Sequence, residues 1–416
     1  MKNHPHSWLM TRPMRGAAAA LRRQHGAFLI TFALFMLFLL GFMGLALDFG
    51  RLFVVRTELQ TAADSCALAA ARELDLQPSA VTRATSAGGT VGGRNGVQFQ
   101  SGSANLITIR FSDTLIGSYS SSFPAASAKY AECQYALTGL KPWLLQALAA
   151  FSGNSAYANN LSVAARAVAT RAPSQTACII PVTLRWDSAS LPTVGKWIPF
   201  DPGQSKSGNM TWGNLNGSTN ASTTEADMLN GYCVSPTPKA IFTPGTQANT
   251  IAEVWNYRFG IYKNNYDPST TGHPDYSSYR YYYNSAADNN WTGRDADGNI
   301  GNASQDFLAK RLNFTACGAN PAACGLSSGG YKTVSQTPVL QANGADRRIV
   351  TLPITTGSGN YFNNKFACML MLTPLQPSTM TSTFEYLGLA TDASSPCKGN
   401  GLVGGTVGPL IPVLVR

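Results

Sequence analysis

Four histidines limit the chemistry open to this chain. His4, His6 and His25 precede the first long apolar run, and His273 is the only one after it. A Ser-His-Asp or Cys-His nucleophile in the body of the chain would have to use His273. A His-rich zinc site cannot be assembled there. A carboxylate-only hydrolase needs just two acids, so that chemistry stays open. One acidic loop invites a metal reading: Arg294-Asp295-Ala296-Asp297-Gly298-Asn299-Ile300-Gly301, followed by Asp306. Oxygen ligands Asp295, Asp297, Asn299 and Asp306 fall at loop positions 1, 3, 5 and 12 of a calcium loop. Against this, the glycine sits at position 4 rather than 6, and the last ligand is the shorter Asp. Asp, Asn and Gly in this order are also ordinary turn chemistry. No metal site is therefore expected, and those four residues are the calcium candidates.

Eight cysteines carry the other chemistry: Cys66, Cys133, Cys178, Cys233, Cys317, Cys324, Cys368 and Cys397. All follow the apolar run, their number is even, and no CxxC occurs, which suits disulfides in an oxidising compartment. Cys317 and Cys324 flank the turn-prone Gly318-Ala319-Asn320-Pro321-Ala322-Ala323 and are expected to bridge locally. Cys66 and Cys133 are a second expected pair; a buried free thiol is the alternative for each. The pairing of Cys178, Cys233, Cys368 and Cys397 stays open. Residues 255–283 hold Trp255, Phe259 and eight of the sixteen tyrosines, among them Tyr281-Tyr282-Tyr283. Trp255 and these three tyrosines are a candidate interaction surface; the alternative is aromatic pairing inside a β domain.

These residues must be positioned by elements, and the first is unambiguous. Ala27 to Leu47 reads AFLITFALFMLFLLGFMGLAL, without a charge. As a helix it spans about 31 Å, the thickness of a hydrocarbon core. A secretory signal would have a shorter apolar region and a small-x-small cleavage site; this run continues into Asp48-Phe49-Gly50-Arg51 and more helix, so a retained anchor is expected. The net charge of +10 is concentrated here. Lys2, Arg12, Arg15, Arg22 and Arg23 lie in residues 1–26, which hold no acid, leaving 26 of the 31 basic residues against all 21 acids. That distribution gives nucleic-acid binding no support. It places the N-terminus in the cytoplasm and the bulk of the chain outside.

Past the apolar run, Leu52, Val55, Leu59, Ala62, Cys66 and Ala69 recur in steps of three and four, a narrow stripe on one helix face. A stalk helix over residues 48–77, lying on its own domain, is expected. Residues 78–172 read as a small α+β unit. Ser86–Ser103 is Gly/Ser-rich and reads as loop; Leu106–Phe111 and Tyr130–Leu137 read as strands, with Ala131, Cys133, Tyr135 and Leu137 on one face. Leu140–Phe151 reads as a short helix with Pro142 in its first turn, and Leu161–Thr170 as helix or strand. If the Cys133 face meets the stalk, the sulfurs of Cys66 and Cys133 approach each other. A boundary falls at Ala172–Thr176. Residues 177–416 turn to Asn, Gly, Ser, Thr, Tyr and Trp and read as an irregular β-rich domain. Its strand candidates are Cys178–Leu184, Arg348–Ile354, Phe366–Leu372, Phe384–Leu389 and Leu410–Val415, with one helix candidate, Ala303–Leu312. The fold class expected is α+β.

The N-terminal segment resembles a known family. Arg22-Arg23-Gln24-His25-Gly26, the apolar run, Leu47-Asp48-Phe49-Gly50-Arg51, and Leu59-Gln60-Thr61-Ala62-Ala63-Asp64 with its alanine-rich continuation are similar to TadG-like proteins of the Tad (tight adherence) or Flp pilus-assembly system. The resemblance implies a bacterial inner-membrane protein that crosses once, with a periplasmic or surface-exposed body, a pilin-like roll and a strand at 161–170. Its role would be a minor pilin-like or assembly and adhesion subunit. Its partners would be other Tad subunits, the inner-membrane platform and membrane lipid; it implies no cofactor and no catalysis. Two features depart from the pattern. A cut after Gly26 would leave Thr31, not Glu, at the fifth position. The von Willebrand A-type metal motif of many relatives has only Asp267-Pro268-Ser269-Thr270-Thr271 to match it, which follows a polar segment and reads as a turn. The rival functions are a membrane-anchored periplasmic hydrolase and a single-span receptor.

Overall fold

The computed structural model describes residues 18–97, 102–103, 105–142, 152–154, 161–203, 206–234, 241, 249–263, 267–270, 272–283, 291–316, 326, 330–333, 337–356, 361–399 and 401–416. Helix α1 (Ala18–Arg72) and α2 (Ala80–Gly92) come first, then strands β1 (Gly96–Val97), β2 (Gly102–Ser103), β3 (Asn105–Ser112), β4 (Tyr130–Leu140) and β5 (Leu161–Pro173). Next are β6 (Ala177–Ile179), β7 (Val182–Arg185), β8 (Trp197–Phe200), β9 (Asn209–Trp212), α3 (Ala221–Asn230), β10 (Tyr232–Val234), α4 (Asn249–Tyr257) and β11 (Ile261–Tyr262). The last are α5 (Ser304–Leu312), β12 (Lys332–Thr333), α6 (Thr337–Asn343), β13 (Ile349–Thr356), β14 (Tyr361–Met371), β15 (Ser382–Leu389) and β16 (Leu410–Leu414). The architecture is α+β: a long apolar helix, then mixed structure rich in strand.

The chain divides into two compact units. The first comprises Met1–Ala63, Val91–Thr108 and Gln134–Arg166. In it, α1 buries Val55, Leu59, Ala62 and Ala63, and the strands bury Tyr135, Leu137, Leu140 and Ala165. The second comprises Asp64–Thr90, Ile109–Cys133 and Ala167–Arg416. There α1 goes on burying Cys66, Ala67, Ala70, Ala71 and Leu74. The sequence stripe had stepped strictly by 3.5 residues on average, through Ala69. The buried face instead passes from Ala62 and Ala63 to Ala70 and Leu74, leaving Ala69 half-buried. A straight helix turns every 3.6 residues, so a 3.5-residue row drifts off its face by about 20° per heptad.

Ser86–Ser103 was expected as loop, and most of it is not. Residues 80–92 form α2, and β1 pairs with β2 as a short antiparallel ladder. Glycine weakens a helix through chain entropy, but here it permits close approach. A Cβ on Gly88 would stand 3.1 Å from the Cys66 carbonyl oxygen and 3.2 Å from the Ala70 Cβ. Gly88→Leu is therefore expected to destabilise by about 1–3 kcal/mol, read as a lower denaturant midpoint; an unchanged midpoint would mean that α2 does not press on α1 there.

One sheet has the order β16-β5-β4-β3. Leu410–Val415, read from sequence with the later β-rich segment, pairs antiparallel with β5, Leu410 opposite Pro173 and Leu414 opposite Ala169. Residues 143–151 of the expected 140–151 helix lie outside the described residues; Leu140 itself ends β4.

The larger sheet closes. Strand β13 pairs with β14, β14 with β15, β15 with β8, β8 with β9, β9 with β7, and β7 with β13, which makes a closed barrel of these strands. The expected strand Cys178–Leu184 is split into β6 and β7 around Pro181, which has no N–H to give a ladder. Both halves run parallel to β13, β6 bridging at Thr351 and β7 at Ile354 and Thr355. Alternate residues face one core: Leu352 and Ile354, Met369 and Met371, Phe384 and Tyr386, Ile198 and Phe200, Met210 and Trp212. The intervening Cys368, Leu370 and Leu372 join a second core with Tyr281 and Phe307. Period two along every strand is what makes one barrel wall serve two cores.

Candidate interaction surface on the N-terminal helix

From Phe28 to Phe53 nearly every large apolar side chain of α1 is exposed, Phe28 and Leu37 by 72%. Among the described residues this is the one helix long and apolar enough to cross a membrane. Two residues in the stretch are buried, Gly44 and Asp48, one turn apart. Asp48, Arg51 and Leu52 line a small pocket with Leu140, Lys141, Pro142 and Leu161. Arg51 donates to the Lys141 carbonyl at 3.4 Å, and Gln60 donates to the Arg166 carbonyl at 3.2 Å. On another side, Phe49, Leu52, Phe53 and Arg56 border an open groove of roughly 270 Å³ with Ser162, Val163 and Ala164. The helix is thus bare where it is most apolar and gripped where polar residues enter its sequence.

In the second unit the grip becomes covalent. Cys66 is bonded to Cys133 of β4, with Cα atoms 6.1 Å apart. Cys66 sits on the buried face of α1, and Cys133 lies with Ala131 and Tyr135 on the buried face of β4. Cys178 is bonded to Cys233 across the β6–β10 ladder, and Cys368 on β14 to Cys397. Cys317 and Cys324 lie outside the described residues.

The four calcium candidates are not gathered around one point. The Asp295 carboxylate accepts from the backbone N–H of Asp297 at 3.0 Å and of Asn299 at 2.8 Å. Asp297 accepts from the Thr193 hydroxyl at 2.6 Å, and Asp306 from the Tyr281 hydroxyl at 2.8 Å. Asn299 pairs with the Asp295 backbone, and Gly298 takes φ +80°, closing a turn. Among the described residues no group of three or more His, Cys, Asp and Glu could hold a metal ion. Asp267 likewise caps its own turn, accepting from the Ser269 N–H at 2.7 Å.

The aromatic candidates also separate. Trp255 is fully buried on α4, its ring against Phe200, Trp212 and Phe384 at 5.1–5.9 Å between centroids. Tyr281 is fully buried beside Trp291. Both are core residues, not surface ones; edge-on packing of this kind adds about 0.5–1.5 kcal/mol per pair. Tyr282 is half-buried under the Arg280 guanidinium, and only Tyr283, 58% exposed, faces solvent. His273 is exposed and meets the Asn343 carbonyl at 3.1 Å.

Sequence reading missed the charged residues that hold the barrel region together. Asp275 is fully buried and accepts from Arg311 Nε at 3.2 Å and from the backbone N–H of Ser277, Arg347 and Arg348. Arg348 is fully buried between the Phe259 and Phe307 rings and donates to the Met371 and Ser277 carbonyls at 3.0 Å. Burial pulls its pKa down to about 10, with Asp275 opposing. Glu385 accepts from Trp197 Nε1 and from the N–H groups of Ala303 and Ser304, at the start of α5. Burial raises its pKa, and those hydrogen bonds lower it. Each has its partners supplied by protein, which makes them supports of the fold. Asp275 and Glu385 are single charges in polar or apolar stretches, and Arg348 closes the charged run Asp346-Arg347-Arg348, which does not tell a buried charge from an exposed one.

Comparison with known proteins bears on the helix. Residues 26–73 match the family model described as Flp pilus-assembly TadE/G-like. No curated protein and no solved structure matches the chain. The matched stretch begins at Gly26 and ends at Glu73, one residue past α1, so it takes in both the bare apolar half and the half whose stripe is buried.

Proposed function

We propose that this chain is a membrane-anchored component of Flp/Tad pilus assembly, a minor pilin-like or assembly and adhesion subunit that works by protein–protein contact. One observation carries the reading: the segment that matches the pilus-assembly family coincides with a single helix, exposed and apolar to Phe53, then buried along an alanine and cysteine stripe. A helix of this kind anchors in lipid and serves as the spine of an exported domain. The basic flank orients it with the N-terminus in the cytoplasm. Partners are other pilus subunits and the inner-membrane platform. A hydrolase reading gains nothing from Asp275 and Glu385, because both are already saturated with protein donors.

Deleting the gene is expected to remove or sharply reduce pili in the sheared cell-surface fraction, with restoration by the full chain. Unchanged piliation in the deletion strain would overturn the proposal. Recovery of the chain in sheared pili, against its retention in membranes, separates the pilin-like role from the assembly role.

A further inference from the structure

Helix α1 contains seven phenylalanines, all between Phe28 and Phe53 and each 50–72% exposed. At 100° per residue all seven fall within an arc of about 120°. Six of them, Phe28, Phe32, Phe35, Phe42, Phe49 and Phe53, occupy one row with steps of four, three, seven, seven and four. Leu29, Leu40 and Leu47 are equally exposed but lie outside the arc. The buried residues Gly44, Asp48, Val55 and Leu59 lie on the opposite side of the helix.

A bilayer has no reason to sort phenylalanine from leucine, since both dissolve in its core. A 3.5-residue repeat holds its direction only against a partner that winds with it, which is the rule of left-handed helix pairs. Length adds a second argument. Phe28 to Phe53 spans about 38 Å, longer than the ~30 Å hydrocarbon core. Phe49 and Phe53 follow Leu47, the last residue of the apolar run, and border the open groove with Ser162, Val163 and Ala164. A hydrocarbon core that ends at Leu47 would leave them beyond the lipid tails. The next position of the row is Arg56, exposed, in the same groove and without an ion pair among the described residues.

We infer that this phenylalanine face docks the membrane helix of a different chain, one that carries a carboxylate level with Arg56. A second copy of this chain fits poorly. Two copies share one membrane orientation, so in register Arg56 would oppose Arg56 on the seam. The inference rests on the pilus-assembly reading and names the kind of partner that reading leaves open.

The test places a photo-crosslinking residue at Phe42, Phe49, Leu40 or Leu47 of the full chain, in cells that make the whole apparatus. Adducts are expected at Phe42 and Phe49, at least about tenfold above Leu40 and Leu47, with a protein that has its own apolar helix. Arg56→Glu should lower that yield about tenfold, the scale of one interhelical polar contact, and an acid-to-lysine change in the partner should restore it. Equal yields on both arcs, lipid adducts alone, a product of twice the chain's mass, or indifference to Arg56→Glu would each overturn the inference. Piliation separates the two readings. If the deletion strain lacks pili while Phe42→Leu and Phe49→Leu keep them and show no adducts, the docking face fails and the pilus role stands.

Discussion

Protein matured outside the cytoplasm and carrying Cys66→Ala with Cys133→Ala is expected to unfold about 4 kcal/mol more readily than wild type. The bond closes a loop of 67 residues, and the chain-entropy value for a loop of that length is about 4 kcal/mol. Both sulfurs are buried, so the loss includes some packing, which alanine partly keeps. Against a total stability of about 5–15 kcal/mol for a domain, this is a large share. The comparison is equilibrium unfolding of the oxidised wild type, the reduced wild type and the double variant. The double variant should lie between the other two, because reduction also opens the Cys178–Cys233 and Cys368–Cys397 bonds. A double variant as stable as the oxidised wild type would show that α1 is held to β4 by packing alone. The bond matters to function because α1 is both anchor and spine: a pull on the membrane segment reaches β4 through a covalent link instead of through alanine contacts.

Asp275→Ala should be the most damaging single change in the barrel region, costing about 3–5 kcal/mol. It strips a buried carboxylate from Arg311 and from three backbone N–H groups, those of Ser277, Arg347 and Arg348. Each buried donor left without an acceptor costs about 1–3 kcal/mol, while Arg311 keeps its ion pair with Asp346. Asp275→Asn keeps the shape and one oxygen, and should fall between the two. His273→Ala is the control. It removes an exposed side chain with one backbone contact, so stability should change by less than about 0.5 kcal/mol, and pilus assembly should be unaffected. Soluble yield and denaturant midpoint read all three; a benign Asp275→Ala would mean that water replaces the carboxylate.

What the sequence disclosed depended on how local the signal was. The membrane segment, the stripe bearing Cys66 and the strand face bearing Cys133 were readable because helix and strand periods repeat within ten or twenty residues. The strands β13, β14 and β15 were readable for the same reason. Barrel closure was not, because it turns on β8 and β9, strands of four residues each that are too short for a period of two to stand out in the sequence, and on β7 meeting β13 across the chain. The return of β16 to β5 was hidden for the same reason: a pairing between residues 410–414 and 169–173 leaves no trace in either segment alone. Helix α2 was hidden by its glycines, which favour loop by propensity yet allow the contact with α1 that fixes the helix. Trp255 and Tyr281 misled because a dense aromatic stretch looks the same whether it faces a partner or fills a core; only the two cores on either face of the barrel wall decide. The saturated acids Asp275 and Glu385 could not be told from solvent-facing ones, since their donors come from segments far away in sequence.

The proposed pilus role requires α1 to cross a membrane once and carry the rest of the chain outward. Fusing reporters at Arg416 tests this most directly: one active only in an oxidising exported compartment, the other only in the cytoplasm. The exported reporter should be active and the cytoplasmic one silent. Activity of the cytoplasmic reporter, with the exported one silent, would contradict the orientation on which the disulfides, the spine helix and the pilus role all depend.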